Sequence, residues 1–194
     1  PYDVSRVIAR PYDGAPGSYA RTANRRDYSI QPPEETLLDT LEAAGIPRRG
    51  VGKVDDLFAG RAIKAAHTAA NAEGIRLIRE WLEGSESGFL FANLVDFDQL
   101  YGHRNDVAGF NRALEEFDTA LPSLLSALKE EDLLFITADH GNDPTTPSTD
   151  HARENVPVLA LGRRVRAGAD IGTRATFADL GATVAEWLGV DFRG

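Results

Sequence analysis

Two short apolar runs decide the fold class: Phe89-Leu90-Phe91-Ala92-Asn93-Leu94-Val95 and Leu133-Leu134-Phe135-Ile136. Neither run alternates apolar with polar residues, which is typical of strands buried on both faces of a parallel sheet. Acidic and histidine residues follow each run at once, beginning at Asp96 after the first and at Asp139 after the second. Open α/β sheets bind ligands beyond the carboxyl ends of their strands. The sequence therefore predicts a functional site at this edge of the sheet.

Strands and helices alternate along much of the chain. We predict helices over 36–44, over 63–82 with a possible interruption at Gly74, over 107–128 with a kink or break at Pro122, and over 177–188. Further strands are predicted over 4–9 and 156–161, and a strand or turn over 50–54. This alternation indicates a mostly parallel α/β sheet flanked by helices.

Composition narrows the class of protein. The chain has 194 residues, 42% of them hydrophobic and 26% charged, which suits one domain or a domain plus a fragment. With no cysteine, neither a disulfide framework nor a thiolate metal site is expected. The sequence has no apolar stretch of about 20 residues and no signal-peptide pattern, so we expect a cytoplasmic protein. A net charge of -9 argues against a nucleic-acid or membrane binder.

The chain divides into two parts at Pro32-Pro33, a stiff and extended pair. Residues 1–32 are too few to bury a core, so we expect the remnant of another domain there, with 33–194 forming the main core. Residues 1–26 contain five arginines and two aspartates, a local net charge of +3, whereas the remainder carries -12. Such a basic patch suits an anionic substrate such as a phosphate ester, and equally suits arginines that pair with core carboxylates.

The strand-end loops carry the residue types that bind divalent metal ions. Five residues are candidate ligands: Asp98, His103, Asp139, His140 and His151. Imidazole and carboxylate together suit zinc or manganese. Five ligands exceed what one tetrahedral ion needs, and two neighbouring ions can clamp both oxygens of a phosphoryl transfer. The pattern therefore predicts a two-metal site.

Nearby polar residues have simpler explanations. Asp96 is interpreted as a partner of the ligands, with a helix N-cap as the alternative. Asp143 and Asp150 are expected to be turn-forming acids. His67 lies among alanines and is expected to be structural or exposed.

Several segments together resemble the bacterial phosphopentomutases, members of the alkaline phosphatase superfamily. The segments in the core are Asn93-Leu94-Val95-Asp96-Phe97-Asp98, Tyr101-Gly102-His103-Arg104, Thr137-Ala138-Asp139-His140-Gly141-Asn142-Asp143-Pro144-Thr145 and Thr149-Asp150-His151. Arg6-Val7-Ile8-Ala9-Arg10-Pro11 and Asn24-Arg25-Arg26-Asp27-Tyr28-Ser29 resemble parts of that family's inserted cap domain. The resemblance implies an alkaline-phosphatase-like core over 33–194 and a cap remnant over 1–32.

The resemblance also implies a function and roles for single residues. Asp98, His103 and His151 would bind one manganese ion, and Asp139 and His140 the other. Ribose 1-phosphate and ribose 5-phosphate, and the 2-deoxyribose pair, would be interconverted through a phosphothreonine enzyme. The cations that would hold the substrate phosphate are Arg6, Lys53, Arg21, Arg25 and Arg26.

The family pattern is only half present. Its N-terminal half, with the threonine nucleophile, one metal-ligand aspartate and most of the cap, has no counterpart here, and no threonine of this chain matches that nucleophile. Since the chain begins at Pro1 and has no methionine, we expect a piece of a longer protein that is inactive alone. Two alternatives stay open: another superfamily member (a cofactor-independent phosphoglycerate mutase or a metal phosphatase), and a non-catalytic fragment that binds metal or sugar phosphate.

Overall fold

The computed structural model describes residues 4, 6–22, 24 and 26–192, without the side chains of Arg21 and Asp27. The strands are β1 (Arg6–Ala9), β2 (Tyr12–Asp13), β3 (Ala20–Arg21), β4 (Arg26–Ser29), β5 (Arg48–Val51), β6 (Ala65–Ala66), β7 (Phe89–Ala92), β8 (Leu134–Thr137) and β9 (Val158–Leu161). The α-helices are α1 (Leu37–Ala43), α2 (Val54–Leu57), α3 (Asn71–Glu83), α4 (Val107–Ala127) and α5 (Ala178–Trp187). Every helix among these residues is too short or too polar to cross a bilayer.

A parallel three-stranded sheet lies at the centre of the core, in the order β6-β5-β7. β5 confirms the predicted strand near residue 50, although it starts at Arg48 and gives way to a turn at Gly52. Gly50 is needed for the pairing of β5 with β6, because a Cβ atom there would lie 2.7 Å from the Cβ of Ala65. The predicted α/β class with parallel strands and covering helices is confirmed.

The strands β8 and β9 form a separate antiparallel pair, with Leu134 opposite Leu161 and Thr137 opposite Val158. The sequence predicted both as members of one mostly parallel sheet, and for this pair the direction was wrong. A parallel return needs a crossover connection, usually a helix, whereas residues 138–157 between these strands form an irregular loop. An apolar run predicts that a strand is buried, but it does not predict the direction of its neighbour.

The core packs α1 and α2 against the sheet. Leu38, Val54 and Ile63 form a buried apolar cluster, and Leu41 of α1 is fully buried. α1 begins with a capping box in which Thr36 and Asp39 satisfy each other's backbone and side-chain groups. These contacts hold α1 and α2 against β5 and reach Phe89 at the start of β7.

The helix predicted over 63–82 was placed too early. Ile63 lies in the core cluster, Ala65 and Ala66 pair with β5, and the helix starts only at Asn71. Gly74 does not interrupt this helix; a Cβ atom there would lie 2.7 Å from a methyl carbon of Leu94, so the small residue serves packing. The long helix α4 also continues through Pro122 without a break.

Asp39 makes the stability of the core depend on pH. Partial burial raises the pKa of Asp39, but hydrogen bonds from Thr36 and Arg61 and the Arg61 charge outweigh burial, so its pKa is lowered. A lowered folded-state pKa stabilises the fold above the ordinary pKa of about 3.9, and that contribution is lost as pH falls through the folded value. We therefore expect the free energy of unfolding to fall more steeply below about pH 4 in the wild type than in Asp39→Asn. Urea unfolding at several pH values measures both slopes, and equal slopes would contradict the assignment.

Candidate metal centre

Two loops at the carboxyl ends of β7 and β8 carry the predicted ligands. The chain after β7 forms a π-helical turn over Phe97–Tyr101 and a 3₁₀ turn over Gly102–Arg104, which present Asp98 and His103. The loop after β8 presents Asp139 and His140, then returns so that Gly141 and Ala152 pair in a short antiparallel bridge beside His151. Residues far apart in sequence thereby meet at one place.

Three donor atoms form a nearly equilateral triangle. Asp98 Oδ1 lies 3.3 Å from His103 Nε2 and 3.2 Å from His151 Nε2, and the two Nε2 atoms are 3.3 Å apart. Ligands of a tetrahedral zinc ion at bond lengths of about 2.0–2.1 Å lie about 3.3–3.4 Å from one another. The triangle therefore has the dimensions of one face of a metal coordination shell.

The hydrogen bonding of His103 suits a metal ligand. Its Nδ1 lies 2.5 Å from the carbonyl oxygen of Thr149, which can only accept, so Nδ1 carries the proton. In the neutral ring the lone pair is then on Nε2, the atom in the triangle. Metal-binding histidines commonly donate their second nitrogen to a carbonyl in this way.

His140 and Asp139 lie beside the triangle. The ring of His140 stacks on that of His151 with centroids 3.6 Å apart, and the ligand atoms of His140, His151 and Asp98 all lie within 4.8 Å of one another. Asp139 Oδ1 is 3.6 Å from His140 Nε2, and its side chain is 61% exposed. The structure thus brings four of the five predicted ligands together and places Asp139 at the margin, next to His140.

The other polar residues of these loops have local roles. Asp96 Oδ2 accepts a hydrogen bond from the backbone of Asn71, and Asn71 Oδ1 accepts one from the backbone of Asp96. Asp96 therefore serves the N-terminus of α3, and its interpretation as a partner of the ligands stays a prediction. Asp143 forms the expected turn, since Thr145 donates to it from both side chain and backbone and holds the pKa of Asp143 below its ordinary value.

The predicted substrate-binding cations are spread over several elements. Arg6 pairs with Ser29 and Arg26 with Ala9, so these two arginines lie at opposite ends and on opposite faces of the β1–β4 ladder. Three residues along a strand separate them by about 10 Å. Arg21 lies in β3 of the small β2–β3 hairpin, Lys53 precedes α2, and Arg25 falls outside the described residues. Arg6 and Arg26 therefore cannot both hold one phosphate in this arrangement.

The sequence did not indicate an acidic cluster that α2 forms with the residue after β6. Asp55, Asp56 and His67 bring ligand atoms within 4.8 Å of one another, and His67 Nε2 lies 2.7 Å from Asp55 Oδ1. The two aspartates also line a cavity of about 440 Å³ together with Tyr28 and Ser29. Carboxylates repel a phosphate, so this cavity does not suit the anionic end of a substrate. His67 is half-exposed and paired, as expected for a structural residue.

Comparison with known proteins assigns the family. A model of the metalloenzyme superfamily matches residues 21–192. A phosphopentomutase from Anaeromyxobacter sp. strain K is 58% identical over 98% of this chain, and the match covers 49% of that protein. A phosphopentomutase from Symbiobacterium thermophilum is 54% identical over 100% of this chain, and the match covers 50% of that protein. The chain thus spans about half the length of these relatives.

Solved structures show the same fold. A Leishmania mexicana phosphoglycerate mutase, studied at low cobalt concentration, superposes with a TM-score of 0.65 at 19% identity, over 81% of this chain and 37% of that one. The PH0037 protein from Pyrococcus horikoshii gives a TM-score of 0.55 at 17% identity, and the match covers 76% of this chain and 46% of that protein. With the superfamily match spanning most of its length, this chain belongs to the metalloenzyme superfamily.

Proposed function

We propose that this chain is the C-terminal half of a phosphopentomutase, which interconverts ribose 1-phosphate and ribose 5-phosphate and the corresponding 2-deoxyribose phosphates. One observation carries the proposal: identity of 58% to a phosphopentomutase extends over 98% of the chain, and the site loops with their donor triangle lie within it. The missing half would supply the threonine nucleophile, a further aspartate ligand and most of the cap domain. In this chain, residues 1–32 would be the remnant of that cap, and residues 33–194 would belong to the metal-binding core.

The donor set supports two divalent ions, which we assign as manganese. Asp98, His103 and His151 would hold one ion, because their donor atoms already have the spacing of a coordination face. Asp139 and His140 would hold the other, together with ligands from the missing half. Bound ions would supply positive charge to the transferring phosphoryl group.

The chain's own side chains would hold and orient the groups that react. Asp98 is the single carboxylate of the triangle, and it would supply negative charge beside the imidazoles of His103 and His151. Arg6 and Lys53 would hold the substrate phosphate that does not react, and Arg21 and Arg25 would contribute from the cap surface. Arg26 lies on the opposite face of the β1–β4 ladder from Arg6 and would not share that phosphate. Charged sugar phosphates do not cross membranes unaided, which supports a cytoplasmic location.

A phosphoglycerate mutase is the rival supported by fold. That similarity rests on 19% identity, against 58% for the phosphopentomutase, so the pentose substrate is favoured. A metal phosphatase would differ in releasing phosphate continuously.

An assay of the intact protein that contains this chain tests the proposal. Chelated protein resupplied with manganese is expected to convert ribose 1-phosphate into ribose 5-phosphate with no steady release of phosphate. Parallel reactions measure phosphoglycerate interconversion and phosphate release. Phosphoglycerate turnover without pentose phosphate turnover, or phosphate as the main product, would overturn the assignment.

A further inference from the structure

We propose that Asn142 is a positioning residue that sets the orientation of the Asp98 carboxylate, and that Gly102 exists to let it do so. Asn142 Nδ2 donates to Asp98 Oδ1 at 2.8 Å, across 44 residues of sequence. The acceptor is the same oxygen that faces His103 and His151 in the donor triangle. A carboxylate oxygen has two lone pairs, so Oδ1 can accept this bond while facing the imidazoles. The proposal rests on the metal site proposed above.

The oxygen of the Asn142 amide lies in a less favourable environment than its nitrogen. Asn142 Oδ1 is buried and has no hydrogen-bond partner among the described residues. A buried acceptor without a partner costs free energy, and such groups are rare in folded proteins. Turning the amide over would place its oxygen against the Asp98 carboxylate, where two acceptors repel. The orientation of Asp98 is thus held at a cost to the neighbouring amide.

Gly102 gives the amide its space. A Cβ atom on residue 102 would lie 2.3 Å from Asn142 Nδ2 and 2.6 Å from its amide carbon, closer than real Cβ contacts. The backbone φ of Gly102 is -60°, which every residue can adopt, so conformational freedom does not explain the glycine. The absence of a side chain is what the site requires, and any other residue would displace Asn142 from Asp98.

A second amide provides a matched control. Asn105 Nδ2 donates to the carbonyl oxygen of Thr146 at 2.5 Å, and its buried Oδ1 likewise has no partner in the part of the chain that the structure describes. Asn105 therefore ties the same two loops together but does not touch a ligand atom. Asn105 has a φ of +51°, which glycine adopts without strain, so Asn105→Gly removes the amide and keeps the backbone conformation.

The experiment measures manganese affinity of the intact protein by calorimetry, and the thermal midpoint of each chelated variant. Asn142→Leu keeps the approximate shape of the side chain and removes the Nδ2 donor. Asn142→Ala removes both the shape and the donor. Both are expected to weaken manganese binding about 10- to 100-fold, the usual effect of losing a hydrogen-bond partner of a ligand. Asn105→Gly is expected to change manganese affinity less than about threefold, because Asn105 ties the two loops together but does not orient a metal ligand.

A double-mutant cycle separates positioning from general damage. Gly102→Ala is expected to weaken binding as much as Asn142→Ala, and the double variant to bind no worse than either single variant, because both act through one contact. Unchanged affinity in both Asn142 variants, or additive losses in the cycle, would overturn the role of Asn142 while leaving the metal site standing. Failure of the wild type to bind manganese would overturn the metal site and the proposal with it.

Discussion

Replacing Asp98 with alanine is expected to weaken divalent-metal binding by about 100-fold or more and to reduce phosphoryl transfer by the intact protein in proportion. Asp98 supplies the one carboxylate of the donor triangle, and its Oδ1 lies within 3.3 Å of both His103 and His151. Loss of an outer partner of a ligand costs about 10- to 100-fold in metal affinity, so loss of a charged ligand itself costs more. The imidazoles of His103 and His151 would remain, without the carboxylate whose negative charge attracts the cation.

Calorimetry with manganese and the manganese-induced rise in thermal midpoint measure this effect. A ligand that binds only the folded state raises the midpoint, so the wild type should respond and Asp98→Ala should not. Asp118→Ala is the control, because it removes the same group from an exposed position on α4. An Asp98→Ala protein that binds manganese as tightly as Asp118→Ala would remove Asp98 from the site.

The candidate ligands could be proposed from sequence because their signal is local. Asp98 and His140 each follow an apolar run within a few residues, and strand ends of an α/β sheet are where ligands bind. The partnership of Asn142 with Asp98 and Gly102 has no such signal. It joins residues 40 or more positions apart through one amide, and only the meeting of the two loops creates it.

Elements were misjudged where tertiary contacts outweigh local preference. Alanine is the strongest helix former, and the segment around Ala65 and Ala66 was predicted to be helical. Those alanines instead pair with Gly50 and Val51, where the short distance between neighbouring chains accepts only small side chains. The sequence likewise could not predict the direction of β9, because its apolar residues fit a parallel or an antiparallel neighbour equally well.

Gly52 lies close to the backbone of Asn93, at the strand ends that lead into the site. Gly52 follows β5 with φ at +85°, and its N–H donates to the carbonyl oxygen of Ala66. A Cβ atom on residue 52 would lie 2.1 Å from the carbonyl oxygen of Asn93, just after β7. The obstacle is backbone, so no side-chain rotation relieves it. Alanine would force the ends of β5 and β7 apart and move the segment that carries Asp98.

We therefore expect Gly52→Ala to lower the free energy of unfolding by roughly 3–5 kcal/mol, the range of strongly disruptive substitutions. Gly45→Ala isolates the conformational part of this loss, because Gly45 also has positive φ, at +69°, but has open space where its Cβ would lie. That control is expected to cost about 1–2 kcal/mol. Urea unfolding of both variants without metal gives the two values. Similar losses would show that the left-handed backbone alone explains Gly52; a much larger loss for Gly52→Ala would assign the difference to the contact with Asn93.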